Sequence, residues 1–159
     1  MRVAQPPSTM WGLTMWVALV AVAWLFLQPR LHEDRPLLSS MLHIATVLPF
    51  VTLAYLFLIN DTTLLHVAAF GGEALPLKYR FAATWAAREG PLLMWLGWMS
   101  LVAWLWRRPL PGESGQNSDA HDWRLRFMHL MSLTILLIAF SLDPFKATPA
   151  FFRGAGLNP

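Results

Sequence analysis

The chain has 159 residues, of which 56% are hydrophobic and only 13% are Asp, Glu, Lys or Arg, against roughly 25% charged residues in an ordinary soluble domain. So little charge cannot coat a soluble surface, and nine Trp beside two Tyr suit a membrane protein, whose indoles collect at headgroup level. The net charge of +3 is small and the basic residues are scattered, which excludes a nucleic-acid patch; the lack of cysteine excludes disulfides, thiolate metal sites and covalent c-type heme attachment on this chain.

The first apolar run covers about residues 10–27 and carries WGLTMWVALVAVAWLFL. It is long enough for the roughly 20-residue helix that crosses a bilayer core. A signal peptide has an apolar region of about 7–15 residues and a small-residue cleavage site. This run is longer and ends in Gln28-Pro29-Arg30, so it reads as a retained span. The second run, about residues 37–60, is LLSSMLHIATVLPFVTLAYLFLIN. Pro49 near its middle removes a backbone donor and predicts a kink.

Residues 61–90 form a longer, more polar connection. Asp61-Thr62-Thr63 is expected to cap a short helix through LLHVAAF, which Gly71-Gly72 then breaks. Residues 77–87 suit an interfacial helix with Lys78, Arg80 and Arg88 in water. The third run, about residues 91–106, begins at Pro91, and proline suits the first helical position, where its missing N–H costs nothing. Sixteen residues before Arg107-Arg108 are short for a bilayer, and a helix starting before Gly90 would lengthen the span. Residues 107–124 then read as a polar, flexible loop, rich in Gly and Ser. The fourth run, about residues 125–142, starts in the basic, amphipathic stretch DWRLRFMHL and stops at Asp143-Pro144, where the residue before proline is pushed out of the helical region.

The expectation is one all-α membrane domain over residues 1–159. It has four transmembrane helices (about 10–27, 37–60, 91–106 and 125–142), with one or two short interfacial helices in the 61–90 segment. Four spans place both termini on one side. Cations favour the cytoplasmic side near span ends. The shorter connections carry Arg30, Arg35, Arg107, Arg108 and Arg124 at higher density than the opposite side carries Arg2, Lys78, Arg80, Arg88, Lys146 and Arg153. Density therefore puts the 107–124 loop in the cytoplasm, with the 61–90 segment and both termini facing outward.

Two blocks carry a family resemblance. The first is LPLKYRFAATWAAREGPLLMWLGWMSLVAWLW, with Pro76-Leu77-Lys78-Tyr79-Arg80, Ala82-Ala83-Thr84-Trp85, Arg88-Glu89-Gly90 and Leu92-Leu93-Met94-Trp95. The second is Asp143-Pro144-Phe145 followed by Gly154-Ala155-Gly156-Leu157-Asn158-Pro159. In sequence and order they resemble the early part of the CcmF/NrfE family of cytochrome c maturation, membrane proteins acting in heme ligation to apocytochrome. The resemblance covers about residues 38–159 and implies a bacterial inner membrane or an organellar inner membrane, with periplasmic or equivalent termini. Arg88 replaces the family's usual His before Glu-Gly, and Pro91 replaces a small residue. The Trp-rich WWD segment that handles heme in the family has no counterpart among the nine Trp.

The resemblance implies a non-catalytic membrane subunit that assists heme attachment by scaffolding or partner docking. Tyr79, Trp85, Arg88, Glu89, Gly90 and Trp95 are its candidate docking residues. Heme would reside on a WWD-bearing partner, and apocytochrome c is a further partner. No catalytic or metal residue is assigned. Glu89 has no second acid or base in sequence to pair with, and its plain reading is a carboxylate at a helix N-terminus. Two other functions stay open. One is a structural accessory subunit of a respiratory or photosynthetic complex. The other is a small heme b electron-transfer subunit with His43 and His129 as axial ligands, since the two lie at similar depth on spans two and four. The plain reading of that pair is hydrogen bonding to neighbouring helices. His32, His66 and His121 are expected in solvated loops. Trp11, Trp95, Trp98, Trp104 and Trp106 read as interfacial anchors, and Gly97 with Ser100 as a small face for close helix approach.

Overall fold

A computed structural model describes residues 8–107 and 118–149, and these form seven helices and no strand. The long ones are α1 (Ser8–Leu27), α3 (Pro36–Leu58), α6 (Glu89–Leu105) and α7 (Ser118–Leu142). The short ones are α2 (Leu31–Asp34), α4 (Leu65–Phe70) and α5 (Leu77–Ala83). The long helices pack in a closed ring, α1 on α3, α3 on α6, α6 on α7 and α7 on α1. Neighbouring long helices run antiparallel, with His43 beside Ser100 and Ser40 beside Trp104, as in an up-and-down bundle. Met15, Leu53, Phe57, Leu93, Leu96 and Leu136 fill the middle of that ring. The outward faces are also apolar: Val20, Ile44, Trp95 and Leu137 all stand exposed. Apolar residues inside and outside mark a helix set solvated by lipid, so the chain is a multi-pass membrane protein.

Among the described residues three helices are long and apolar enough to cross a membrane, over Met10–Leu27, Pro36–Leu58 and Asp119–Leu142. The expected four are not all of that length. The helix from Glu89 to Leu105 has 17 residues, so it rises about 26 Å at 1.5 Å per residue, against a hydrocarbon core of roughly 30 Å. It does begin before Gly90, as the short run required, but it stops at Leu105 because Trp106 and Arg107 turn away. The helix in the second run passes through Pro49 unbroken.

One end of the bundle carries the 28–40 region, the end of α6 and the start of α7. There Arg30 Nε donates to Asp122 Oδ2 at 2.7 Å and Arg107 Nη1 donates to Ser40 Oγ at 2.9 Å. The same pairing with Asp122 raises the Arg30 pKa. Helical structure from Ser118 corrects the expected loop over 107–124; the stretch 108–117 lies outside the described residues. At the other end Asn60 closes α3 with φ of 55°. Its N–H reaches Phe57 O, and that of Asp61 reaches Leu56 O at 3.0 Å, a left-handed helix stop that suits Asn. Asp61 does not cap α4: that helix follows Leu64 without a side-chain cap, and Asp61 Oδ1 accepts from Thr63 N and Oγ1 instead. The segment after α7 returns to this loop through an isolated bridge between Leu64 and Ala147. Leu65 N bonds to Lys146 O at 2.9 Å, and Thr148 N to Thr63 O at 2.8 Å. The C-terminal motif over residues 154–159 lies outside the described residues.

Candidate functional site

The end of the bundle that holds α4, α5 and the start of α6 gathers the polar residues with the fewest obvious partners. After α5 the chain turns tightly, with Trp85 N bonded to Ala82 O and Ala86 N to Ala83 O. It then enters α6 at Glu89. Gly90 is buried here, and a Cβ built on it would lie 1.6 Å from the Thr84 carbonyl oxygen. Glycine is required for space: nothing larger than hydrogen fits between the α5–α6 turn and the first turn of α6. Pro91 is the third residue of α6, where its missing N–H belongs to a group that has no intrahelical acceptor. Glu89 lies in the positive first turn of α6, which favours its carboxylate.

Glu89 Oε2 faces His66 Nδ1 at 3.7 Å. His66 is 8% exposed and its ring is wedged edge-on between Phe57 and Phe70, with centroids at 5.3 and 5.4 Å. Burial drives the His66 pKa below its usual value, and the Glu89 carboxylate opposes that only partly. His66 Nε2 and Glu89 Oε2 have no hydrogen-bond partner among the described residues. Beside the pair opens a recess of about 410 Å³, whose rim holds Arg88, Asp143, Lys146 and Phe70.

The second candidate cluster lies inside the bundle. His43 on α3 and His129 on α7 are 5% and 4% exposed, and their ring centroids lie 5.5 Å apart with a 36° tilt. Ser100 Oγ donates to the His43 carbonyl at 3.1 Å and lies 3.1 Å from His43 Nδ1. With its own proton so used, the hydroxyl accepts from Nδ1–H. Neither nitrogen of His129 has a partner among the described residues. The two imidazoles, expected at similar depth, lie side by side, and both are buried. The recess at His43, about 270 Å³, is not lined by His129. A porphyrin reaching both nitrogens would have to separate packed helices.

Comparison with curated proteins adds a second line. The chain is 36% identical over 138 residues to the cytochrome c-type biogenesis protein CcmF of Escherichia coli (strain K12), covering 82% of this chain and 20% of that protein. It is 33% identical over 146 residues to the cytochrome c-type biogenesis protein NrfE of Haemophilus influenzae, covering 90% of this chain and 22% of that protein. The CcmF of the same Haemophilus strain matches at 33% over 118 residues. The chain is a CcmF/NrfE-like protein. It spans about a fifth of the length of these relatives. No family profile matches the chain, and no solved structure does.

In this CcmF/NrfE-like chain the six residues expected to dock a partner divide into two groups. Tyr79, Arg88 and Trp95 point outward and are exposed. Trp85, Glu89 and Gly90 point inward. Trp85 Nε1 donates to Met94 Sδ at 3.0 Å, and its ring meets Phe81 and Phe50 edge-on. Two expectations about polar residues are corrected. His32, His66 and His121 are not solvated: His66 and His121 are buried, and only 7% of the His32 side chain is exposed. Arg80 is not free in water either, because its guanidinium donates to the carbonyls of Leu75, Leu58 and Glu73. It thereby straps α5 to the end of α3. His66 could have been found from its neighbours, since LLHVAAF is apolar on both sides of it. Arg80 carried no such signal, because carbonyl acceptors are invisible in a sequence.

Proposed function

We propose that this chain is a non-catalytic membrane subunit of cytochrome c maturation, and that it docks a heme-carrying, WWD-bearing membrane partner. The observation that supports this is the match to CcmF and NrfE proteins across most of the chain. In this reading all four long helices cross the membrane. The short α6 is tolerated because Trp106 and Arg107 at its end reach the interface. The α4–α5 end and both termini face the periplasm of a bacterial inner membrane or its organellar counterpart. Tyr79, Arg88 and Trp95 form the contact surface. Trp85, Glu89 and Gly90 hold the turn that presents it, and apocytochrome c would approach the same side. Heme stays on the partner.

The test is deletion of the gene with heme staining of c-type cytochromes, together with photo-crosslinking from Tyr79, Arg88 and Trp95. Loss of stained cytochromes and a crosslink to a WWD-bearing protein are expected from these positions, and not from lipid-facing Leu137. Normal c-type cytochromes, with recovery of oxidase or pigment-protein subunits, would replace the proposal with a structural role in another complex.

A further inference from the structure

Between α3 and α6, on the outside of the bundle, runs a groove of about 270 Å³. Its floor is made by small residues, Ser40 and Ser100, together with His43 and Val47. Gly97 continues the gap, since a Cβ there would stand 3.7 Å from Val47 Cγ1. The lips are Ile44, 64% exposed, and Leu101, 42% exposed. One end of the groove is apolar. The other is closed by Trp104 Nε1 and Arg107 Nη1, which both donate to Ser40 Oγ, at 3.1 and 2.9 Å. The Arg107 guanidinium lies 4.3 Å over the Trp104 ring.

We propose that this groove binds one anionic phospholipid, with an acyl chain between Ile44 and Leu101 and the phosphate at Arg107. The slot runs along Ser40 to Val47, about 10 Å at 1.5 Å per residue, so it suits a single chain lying along the helices. A transmembrane helix is a poor occupant. Its axis must approach within about 8–10 Å of its neighbour, and the raised Ile44 and Leu101 lips stand in the way. Apolar contact alone would not select a lipid, because any acyl chain solvates the groove equally well. Selection comes from the polar end. There a guanidinium is held in place by a hydroxyl and an indole at the level where α6 leaves the bilayer. Fixed cations between transmembrane helices favour anionic headgroups.

Native mass spectrometry of the purified full chain, with equal phosphatidylglycerol and phosphatidylcholine added, tests the assignment. The wild-type chain should retain phosphatidylglycerol roughly five-fold over phosphatidylcholine, the effect of one cation on an anionic headgroup. Arg107→Gln should abolish the preference while lipid still binds. Ile44→Trp, at an exposed position that cannot disturb the bundle interior, should fill the slot and remove retention of both lipids. Equal retention of the two lipids by the wild type, or a preference that survives both substitutions, would overturn the proposal. So would a photo-crosslink from position 44 to the helix of another protein in native membranes.

Discussion

Gly90 meets the Thr84 carbonyl where any side chain would collide with it. Thr84 is itself fully buried, so the turn has no room to recoil. Gly90→Ala and Gly90→Val should therefore both lose folded protein in a size-exclusion assay, with a cost at or above the roughly 1–3 kcal/mol of an overpacked core site. Arg88→Ala, at an exposed neighbour, should stay near wild-type yield. His66 gives a pH prediction. Its pKa in the folded chain is depressed, chiefly by burial, so the unfolded chain binds a proton that the folded chain refuses. Its contribution is then complete above the unfolded value of about 6.5 and shrinks as the pH falls below it. A detergent-solubilised sample should melt at a lower temperature at pH 5.5 than at pH 7.5, and His66→Phe should reduce that difference. An unchanged difference in the variant would remove His66 as the cause. The sequence marked Gly90 through the Arg88-Glu89-Gly90 block of the family resemblance, but not its close approach to the Thr84 carbonyl. It did not expose the partner of Glu89, which lies 23 positions away in a helix that only folding brings alongside.

At the scale of elements, the long apolar runs were legible because each is nearly continuous and bounded by Pro, Gly or charge. Their ends were less so. The fourth run extends back to Ser118, since Asp119, Asp122 and Arg124 can continue a helix that projects out of lipid. The end of α3 is set by Asn60 in the left-handed region, a conformation glycine adopts without cost. Asn60→Gly should leave stability unchanged or slightly raised. Asn60→Val should cost about 1–2 kcal/mol, because a β-branched side chain is strained there. Thermal unfolding of the two variants reads this directly. If they melt alike, the helix stop does not depend on that dihedral angle.

For the whole molecule, closure of the four long helices into one ring fixes which ends lie together: Arg30 with Asp122 and Ser40 with Arg107 at one end, His66 with Glu89 at the other. The absence of cysteine makes the chain a clean background for testing sidedness. Lys78→Cys and Glu33→Cys, each the single thiol in its variant, should react with a membrane-impermeant maleimide from opposite faces of sealed vesicles. Labelling of both from one face would break the antiparallel order. The ring itself could not be read from hydropathy, which reports that a helix is apolar without saying which neighbour it will choose. One dimension of the ring has a further consequence. Helix α6 is several ångströms shorter than the hydrocarbon it would have to traverse, while its neighbours are not. With α6 spanning as proposed, the mismatch that Trp106 and Arg107 do not take up falls on the lipid beside it, at a cost of fractions of a kcal/mol for each ångström. That strain would lie on one flank only, and a neighbour that relieves it would be drawn to the side bearing Trp95 and Trp98 before a single specific contact forms.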